Sequence, residues 1–555
     1  MKKLLTIIAT VALAQCVWAQ KLNNNHPVAL DIDRSSYIAG EPVLFNVFVY
    51  SELIERVPLG DDIYVDLVDQ NGNWIIGTIA RETNGTCFGT LNIPDSVSSG
   101  FYNIRAYTNY PNMDNYYCGR EVYIFNRFGD KNPIQLTDAS LLAINSKQLG
   151  LISANNEVAR RNKVSVKIDN SLSDSIFGTV RVIKRDQWEN KKSPYYGQVS
   201  SRQITDENNS IMPYNGLFIS GKVTDANGQP ISGCIVLLSS VDSLIRLKYD
   251  VTDQNGSFGV QYNNYYGKLN IIASAFEPLN MMPIYDAQIT IDEQFTKTIE
   301  SKTNLEKDYS MTIDSLDLNK SIIAKAYEFA SYSIDTQPMR PTLFYDNYFI
   351  GKTLAHTVNT DDYLELNNFN EITRELLSYV KIRNRQGKPE ARVVTNVGTT
   401  TPIVADNPLI LVDAVQLTDL SKIIDWGTKK IKRVDTQTRQ RNYGNVIFKN
   451  GIVMIWTRNF NFWAEENLPR GTYMFSINSF QQPIVQQKDK PHNNADRVPQ
   501  IQPCIYWNPN ITIAPNQNNE FEITASDEKG DFVIELFAID KKGNYITDYK
   551  FITFK

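Results

Sequence analysis

From residue 26 onward the chain alternates short apolar runs with turn residues. VLFNVFVYS, IYVDLVDQNGNWIIG, CFGTLNIP and GFYNIRAYT place β-branched and aromatic residues on alternating faces, with turn signals at Asn71-Gly72 and Ser99-Gly100. That spacing predicts a β-sandwich within 20–130. KVSVKIDNSLSDSIFGTVRVIKRD predicts a second small β domain within 131–212. LFISGKVTDANGQPISGCIVLLSS, YDVTDQNGSFGVQ and GKLNIIASAFEP predict a third sandwich within 213–290, turning at Asn227-Gly228 and Asn255-Gly256.

The period then changes. Within 291–385, NKSIIAKAYEFAS has helical spacing, and FNEITRELLSYV puts Ile372, Leu376, Leu377 and Val380 on one helical face. PLILVDAVQLTDL, IKRVDT, YGNVIF and GIVMIWTR return to strands and predict a small α+β domain over 386–465. A last run of strands, from IQPCIYWNPNITI to the end, predicts a C-terminal β-sandwich segment over 466–555. At 555 residues the chain is too long for one core. The expected class is mainly β and multi-domain, with serial β-sandwiches and one α+β module.

The start, MKKLLTIIATVALAQCVWAQ, has a basic beginning, an apolar run and a small-residue exit at Val17 and Ala19. It predicts a signal peptide over 1–19 and a mature protein beginning at Gln20. The rival reading makes Cys16 a lipidated residue, against which Gln15 is a poor immediate predecessor. No later stretch has the uninterrupted apolar length of a transmembrane helix. Net charge is −5, about −7 once Lys2 and Lys3 leave with the leader, so a general nucleic-acid partner is not expected.

Three segments carry resemblances. YIAGEPVLFNVFVY, YVDLVD and LNIPDSVSSGFYNIRAYTNY resemble the macroglobulin-type (MG2-like) domain of exported Bacteroidota proteins. GKVTDANGQPISGCIV followed by TDQNGSF resembles the carboxypeptidase regulatory-like domain, a structural sandwich without peptidase residues. PLILVDAVQLTDL, IKRVDT, YGNVIF and GIVMIWTR resemble the plug domain of TonB-dependent outer-membrane receptors. The family's Asp-Gly turn is Asp413-Ala414 here, and alanine tolerates positive φ poorly, which leaves a change of turn type open. The stretch after residue 465 is short for a receptor barrel, so the module is expected to act without one. These resemblances imply an exported protein, periplasmic, outer-membrane associated or on the cell surface.

Chemistry is sparse. The three histidines, His26, His356 and His492, have no ligand spacing, and neither HExxH nor GxSxG occurs. Macroglobulins that trap proteases do so through a CGEQ thioester, which this chain lacks. Cys87, Cys118, Cys234 and Cys504 form no CxxC; Cys87 and Cys118 share a domain and could be a disulfide or two separate buried thiols. DQNGN, DANGQ and DQNGS lack the closing glutamate of a calcium loop, and Asp-x-Asn-Gly is the set that hairpin turns require. No metal, cofactor or catalytic set is expected, and so no enzyme.

Lys429, Lys430, Lys432 and Arg433, with Arg439 and Arg441 beyond them, form the one basic cluster. It reads either as a solvated strand edge or as a contact for an acidic envelope partner. Stretches such as YTNYPNMDNYYCGREVYIF mix tyrosine with asparagine, which suits sugar stacking as well as strand packing. Asp95, Asp174, Asp242 and Asp314 open Asp-Ser-apolar triplets that resemble the O-glycosylation signal of exported Bacteroidota proteins. The expected role is a non-enzymatic binding or scaffold protein of the bacterial envelope, partnered by an envelope or outer-membrane protein of transport or secretion machinery. The alternatives are a carbohydrate-binding accessory protein or, less favoured, an unrecognised enzyme.

Overall fold

The computed structural model describes residues 28–49, 62–83, 85–108, 115–128, 149–189, 194–199, 217–241, 246–262, 266–278, 282–297, 332–334, 355–395, 403–438, 441–443, 446–448, 450–465, 468–486, 500–540 and 543–555. The leader with Cys16, the helical stretch 319–331, and Arg439 lie outside these. The described residues are mainly β, with few and short helices. The chain divides into two compact units, Met1–Arg202 with Phe295–Thr336 and Phe480–Lys555, and Gln203–Gln294 with Gln337–Ser479.

The first unit holds two sandwiches. In one, a sheet of Val28–Ile32, Pro42–Val49 and Thr86–Asn92 faces a sheet ordered Tyr195–Val199, Asn115–Phe125, Gly100–Thr108, Asp62–Asp69 and Trp74–Arg81. Val43, Phe45 and Val47 from the first sheet meet Val65, Leu67, Ile104 and Ile124 from the second in one core. The strand Tyr195–Val199 comes from the stretch read along the sequence as the second domain, yet it pairs antiparallel with residues 115–119 of this sandwich.

The other sandwich is assembled from distant parts of the chain. Ile176–Lys184 lies between Gly530–Asp540 and Cys504–Ile513, and Lys163–Asp169 pairs with Asn518–Thr524. Segments 131–212 and 466–555, read as separate modules, therefore share one core of Val164, Val166, Ile168, Val180, Ile534, Leu536 and Phe554. The physical reason is burial: a few strands with one apolar face are marginal alone and need a facing sheet. Gly178 sits at a register shift in Ile176–Lys184, where a Cβ would collide with the backbone of Phe537.

A buried polar network lies between these two sandwiches. Arg181 donates to both oxygens of Asp31 (3.0 and 2.9 Å), to Glu535 (2.6 Å) and to the Ile32 carbonyl (2.6 Å). Asn46 donates to Thr179 (2.9 Å) and to the Pro509 carbonyl (2.8 Å). Charges this deep persist only when paired, and here each carboxylate has the same guanidinium as partner.

In the second unit, Ser257–Tyr262, Leu217–Thr224 and Gln288–Ile291 form one sheet, and Arg246–Val251, Ile235–Ser240, Lys268–Phe276 and Thr472–Asn478 another. A further sheet is ordered Ala355–Asn359, Ile431–Gln437, Ile452–Thr457, Leu409–Val412 and Val415–Gln416. Both its faces are covered. Val412, Val434, Val453 and Ile455 pack with Phe369, Ile372 and Val393, whereas Leu411, Met454 and Trp456 pack with Ile235 and Leu237. Two-sided burial explains why LILV and IVMIWT are continuous apolar runs without alternation.

The helix here is shorter than its periodicity predicts. It spans Phe369–Glu375, starts at Asn368, whose side chain accepts from the Glu371 N–H, and closes at Leu376. Glu371 accepts in return from the Asn367 N–H (2.8 Å), a reciprocal cap. Val380 stays buried but on the strand Val380–Arg385, opposite Val393, because pairing there takes over from helical continuation.

Candidate functional site

The four expected contact residues lie at one end of the sheet that contains Ile431–Gln437. Lys429 is exposed and pairs with Glu365 (2.7 Å), which holds its ammonium above the usual lysine range. The Lys430 ammonium sits 4.6 Å from the centroid of the Trp426 ring, and that of Lys432 is 5.9 Å from Phe460. Arg433 points back onto the sheet and pairs with buried Asp435 (2.8 Å). Asp435 also accepts from Thr357 Oγ1 (2.7 Å) and Trp456 Nε1 (2.8 Å). Arg433 is thus part of the packing, and Lys429, Lys430 and Lys432 form the outward part of the cluster.

A register shift between Ile431 and Arg433 places Lys432 at a bulge. Arg458, not singled out by the sequence pattern, adds a further cation: it donates to the Thr428 carbonyl (2.8 Å) and pairs with Asp361 (2.6 Å). That Arg458 contact holds the Asp361 carboxyl below the usual range. Between Asp361 and Glu365 the loop projects Tyr363 and Leu364, 52% and 88% exposed. An isolated apolar pair in TDDYLELNN gives no periodic signal, so sequence reasoning passes over it.

The same end of the sheet holds strained backbone. Asp413 (φ 48°) and Ala414 (φ 64°) both take positive φ, the pattern of a type I′ hairpin turn, which the sequence leaves open. Phe460, at φ 52°, is strained as well. The Asp413 carboxylate accepts from the N–H and hydroxyl of Thr457 and from the Phe462 N–H (3.2 Å), joining the turn to the loop that carries Arg458 and Phe460.

Cys87 and Cys118 are both free thiols, so the disulfide that the sequence leaves open is not formed. Cys118 lies over Val28–Ile32, where its Sγ accepts from the Leu30 N–H (3.3 Å). Cys87 is on Thr86–Asn92, two strands along the facing sheet. Two strand spacings are roughly 10 Å, beyond the Cα reach of a disulfide. Burial pushes both thiols up, away from the reactive thiolate.

The Asp-x-Asn-Gly loops are closed turns. One oxygen of Asp69 accepts from the N–H groups of Asn71 and Asn73, and Asp225 and Asp253 repeat the arrangement with the residues two and four ahead, all at 2.8 Å. Among the described residues no group of His, Cys, Asp and Glu is placed to hold a metal ion. Tyr64, Tyr107 and Tyr117 are buried in ring contacts, and the Tyr262 hydroxyl donates to the Leu238 carbonyl (2.8 Å). His356 stacks on Tyr379 at 3.9 Å. No described helix is long and apolar enough to cross a membrane.

No protein-family model matches the chain, and no curated protein matches it. Among solved structures it is similar to Salmonella alpha-2-macroglobulin reacted with methylamine, at 9% identity and a TM-score of 0.24, over 97% of this chain and 40% of that one. The native conformation of E. coli alpha-2-macroglobulin gives the same figures. A tetra-tandem repeat of a large adhesion protein aligns over 95% of this chain and 99% of its own at 8% identity and a TM-score of 0.15. The chain thus spans about 40% of the length of those macroglobulins. Likeness at these TM-scores establishes neither a shared domain order nor an activity.

Proposed function

We propose that this chain is a non-enzymatic binding or scaffold protein of the bacterial envelope, exported and acting at or near the outer membrane with transport or secretion machinery. The observation that carries the reading is the surface at the Lys429 end of the sheet: exposed Leu364 and Tyr363 lie on a loop whose flanking carboxylates, Glu365 and Asp361, pair with Lys429 and Arg458. An apolar projection with a charged rim has the anatomy of a protein contact, the apolar centre supplying affinity and the rim steering approach. The resemblances to MG2-like, carboxypeptidase regulatory-like and receptor-plug modules support the same role and the same compartment.

The test is a photo-crosslinking amino acid placed at position 364 in cells of the source organism, with position 404 as control, since Val404 is also exposed. A discrete crosslinked species from position 364 alone, identified as an envelope protein, is expected. Crosslinks equal at both positions, or none, would overturn the reading.

A further inference from the structure

Two residues from a distant part of the chain, Phe295 and Thr296, lie against the outer face of the larger sheet in the first sandwich. Phe295 stacks on Trp74 (5.4 Å) and meets Tyr64 edge-on (5.8 Å). Its ring fills a hollow that exists because residue 77 is glycine: a Cβ there would collide with the ring. The next residue is gripped by its backbone. The Thr296 N–H donates to the Tyr107 hydroxyl (3.1 Å), and the Thr296 carbonyl accepts from Arg105 (3.1 Å).

The gripping groups are held by the sheet and not by the bound segment. Asp66 pairs with Arg105 through both oxygens (2.8 and 2.6 Å) and accepts from the Tyr107 hydroxyl (3.1 Å). Tyr64 and Tyr107 stack nearly parallel, at 5.6 Å and 13°. All four side chains come from neighbouring strands, so removing the segment leaves the ion pair and the ring stack standing. The Thr296 side chain is buried as well, and the hydrogen bonds that hold its backbone run to Tyr107 and Arg105. Recognition rests on one aromatic ring and the backbone of one residue.

We propose that this face is a docking site for an extended peptide bearing an aromatic residue, occupied in cis by Phe295 and Thr296. An aromatic side chain in the Gly77 hollow, followed by the N–H and carbonyl of the next residue, is the ligand chemistry it takes. The site lies in the other unit from the Lys429 cluster and does not rest on the envelope reading. A tethered segment has an effective concentration in the mM range, so a free peptide at roughly micromolar level meets a filled site in the unaltered protein.

The experiment uses the full chain and a labelled peptide of residues 292–297, capped at both ends, followed by fluorescence anisotropy. Phe295→Ala empties the hollow and should bind the peptide saturably, with the unaltered protein at least about tenfold weaker. Replacing phenylalanine by alanine in the peptide should cost about tenfold or more, the worth of one buried aromatic ring. Adding Gly77→Ala to Phe295→Ala should abolish binding by filling the hollow. Thr296→Pro, which removes the N–H gripped by Tyr107, replaces Phe295→Ala if that variant does not fold. Absence of binding to the emptied variant would overturn the proposal, as would equal binding by the unaltered protein or indifference to Gly77→Ala.

Discussion

Thr457 donates both its backbone N–H and its hydroxyl to the carboxylate of Asp413, at 2.8 and 2.5 Å. Asp413 is fully buried and accepts a third bond from the Phe462 N–H. Asp413→Ala leaves these donors without a partner and should destabilise by about 2–4 kcal/mol, with Asp413→Asn milder because one oxygen remains. Urea unfolding followed by circular dichroism measures both. Equal losses for the two variants would show that the side chain's bulk, and not its acceptors, is what the fold needs.

Ala414 poses the opposite problem. Its φ of 64° is costly for a residue with a Cβ, by roughly 1–2 kcal/mol, while its methyl is buried beside Ile235 and Leu237 in the core between the sheets. Ala414→Gly relieves the strain but removes one buried carbon, worth about 0.8 kcal/mol. The two effects nearly cancel, so the unfolding midpoint should shift by less than roughly 1 kcal/mol equivalent. A larger stabilisation would mean that the methyl packs against nothing of value.

These two residues also show what the sequence makes legible. Asp413-Ala414 reads as a turn because it separates apolar runs, but its positive φ at both positions follows from pairing of Val412 with Val415 and from the core that receives the methyl. The alternation in KVSVKID reveals a strand with one buried face. Nothing in it says that Ser165 bonds to Glu520, 355 positions later. Pattern gives the face, whereas partner choice depends on which distant apolar face remains uncovered. The basic cluster is legible in the same limited way: its charges and the local partners Trp426 and Asp435 are visible around 429–433, but Glu365 and Phe460, which engage Lys429 and Lys432, are brought there only by the fold.

The Asp66–Arg105 pair should be far more costly to break than to replace. Asp66 is fully buried and burial pushes its carboxyl up, with Arg105 opposing that rise. Asp66→Leu alone leaves a buried guanidinium uncompensated and should cost about 3–5 kcal/mol. Asp66→Leu combined with Arg105→Met should recover much of that loss. A double-mutant cycle on thermal unfolding gives the coupling. Additive losses would show that the two groups do not stabilise each other.

Both thiols of the first sandwich should remain reduced and protected. Native protein treated with an alkylating agent should keep Cys87 and Cys118 unmodified, since both are buried with their thiols raised, and both should react after denaturation without reductant. Mass spectrometry of the peptides reads the result. A linked peptide pair would show that the strands that carry them are neighbours, contrary to the sheet order.

Asp527 predicts an acid-dependent loss of stability. Partial burial pushes its carboxyl up, but Arg161 (2.7 and 2.9 Å) and the Gln500 N–H (2.8 Å) outweigh this and hold it below the usual aspartate range. A carboxyl lowered in the folded state binds its proton first in the unfolded chain, so unfolding takes up protons as pH falls through this range. Its stabilisation is present in full above the unfolded value, about 3.9, and fades as pH drops through the folded one. Arg161 and Asp527 join Lys163–Asp169 and its surroundings to the strand pair near the C-terminus, so the loss is felt by the second sandwich. Asp527→Asn should therefore be less stable than the unaltered protein by a constant margin above about pH 5, with the two curves converging in stronger acid. Urea midpoints from pH 7 down to about pH 3 measure the margin. A gap that stays the same at every pH would assign the effect to geometry and remove the carboxylate's charge from the account.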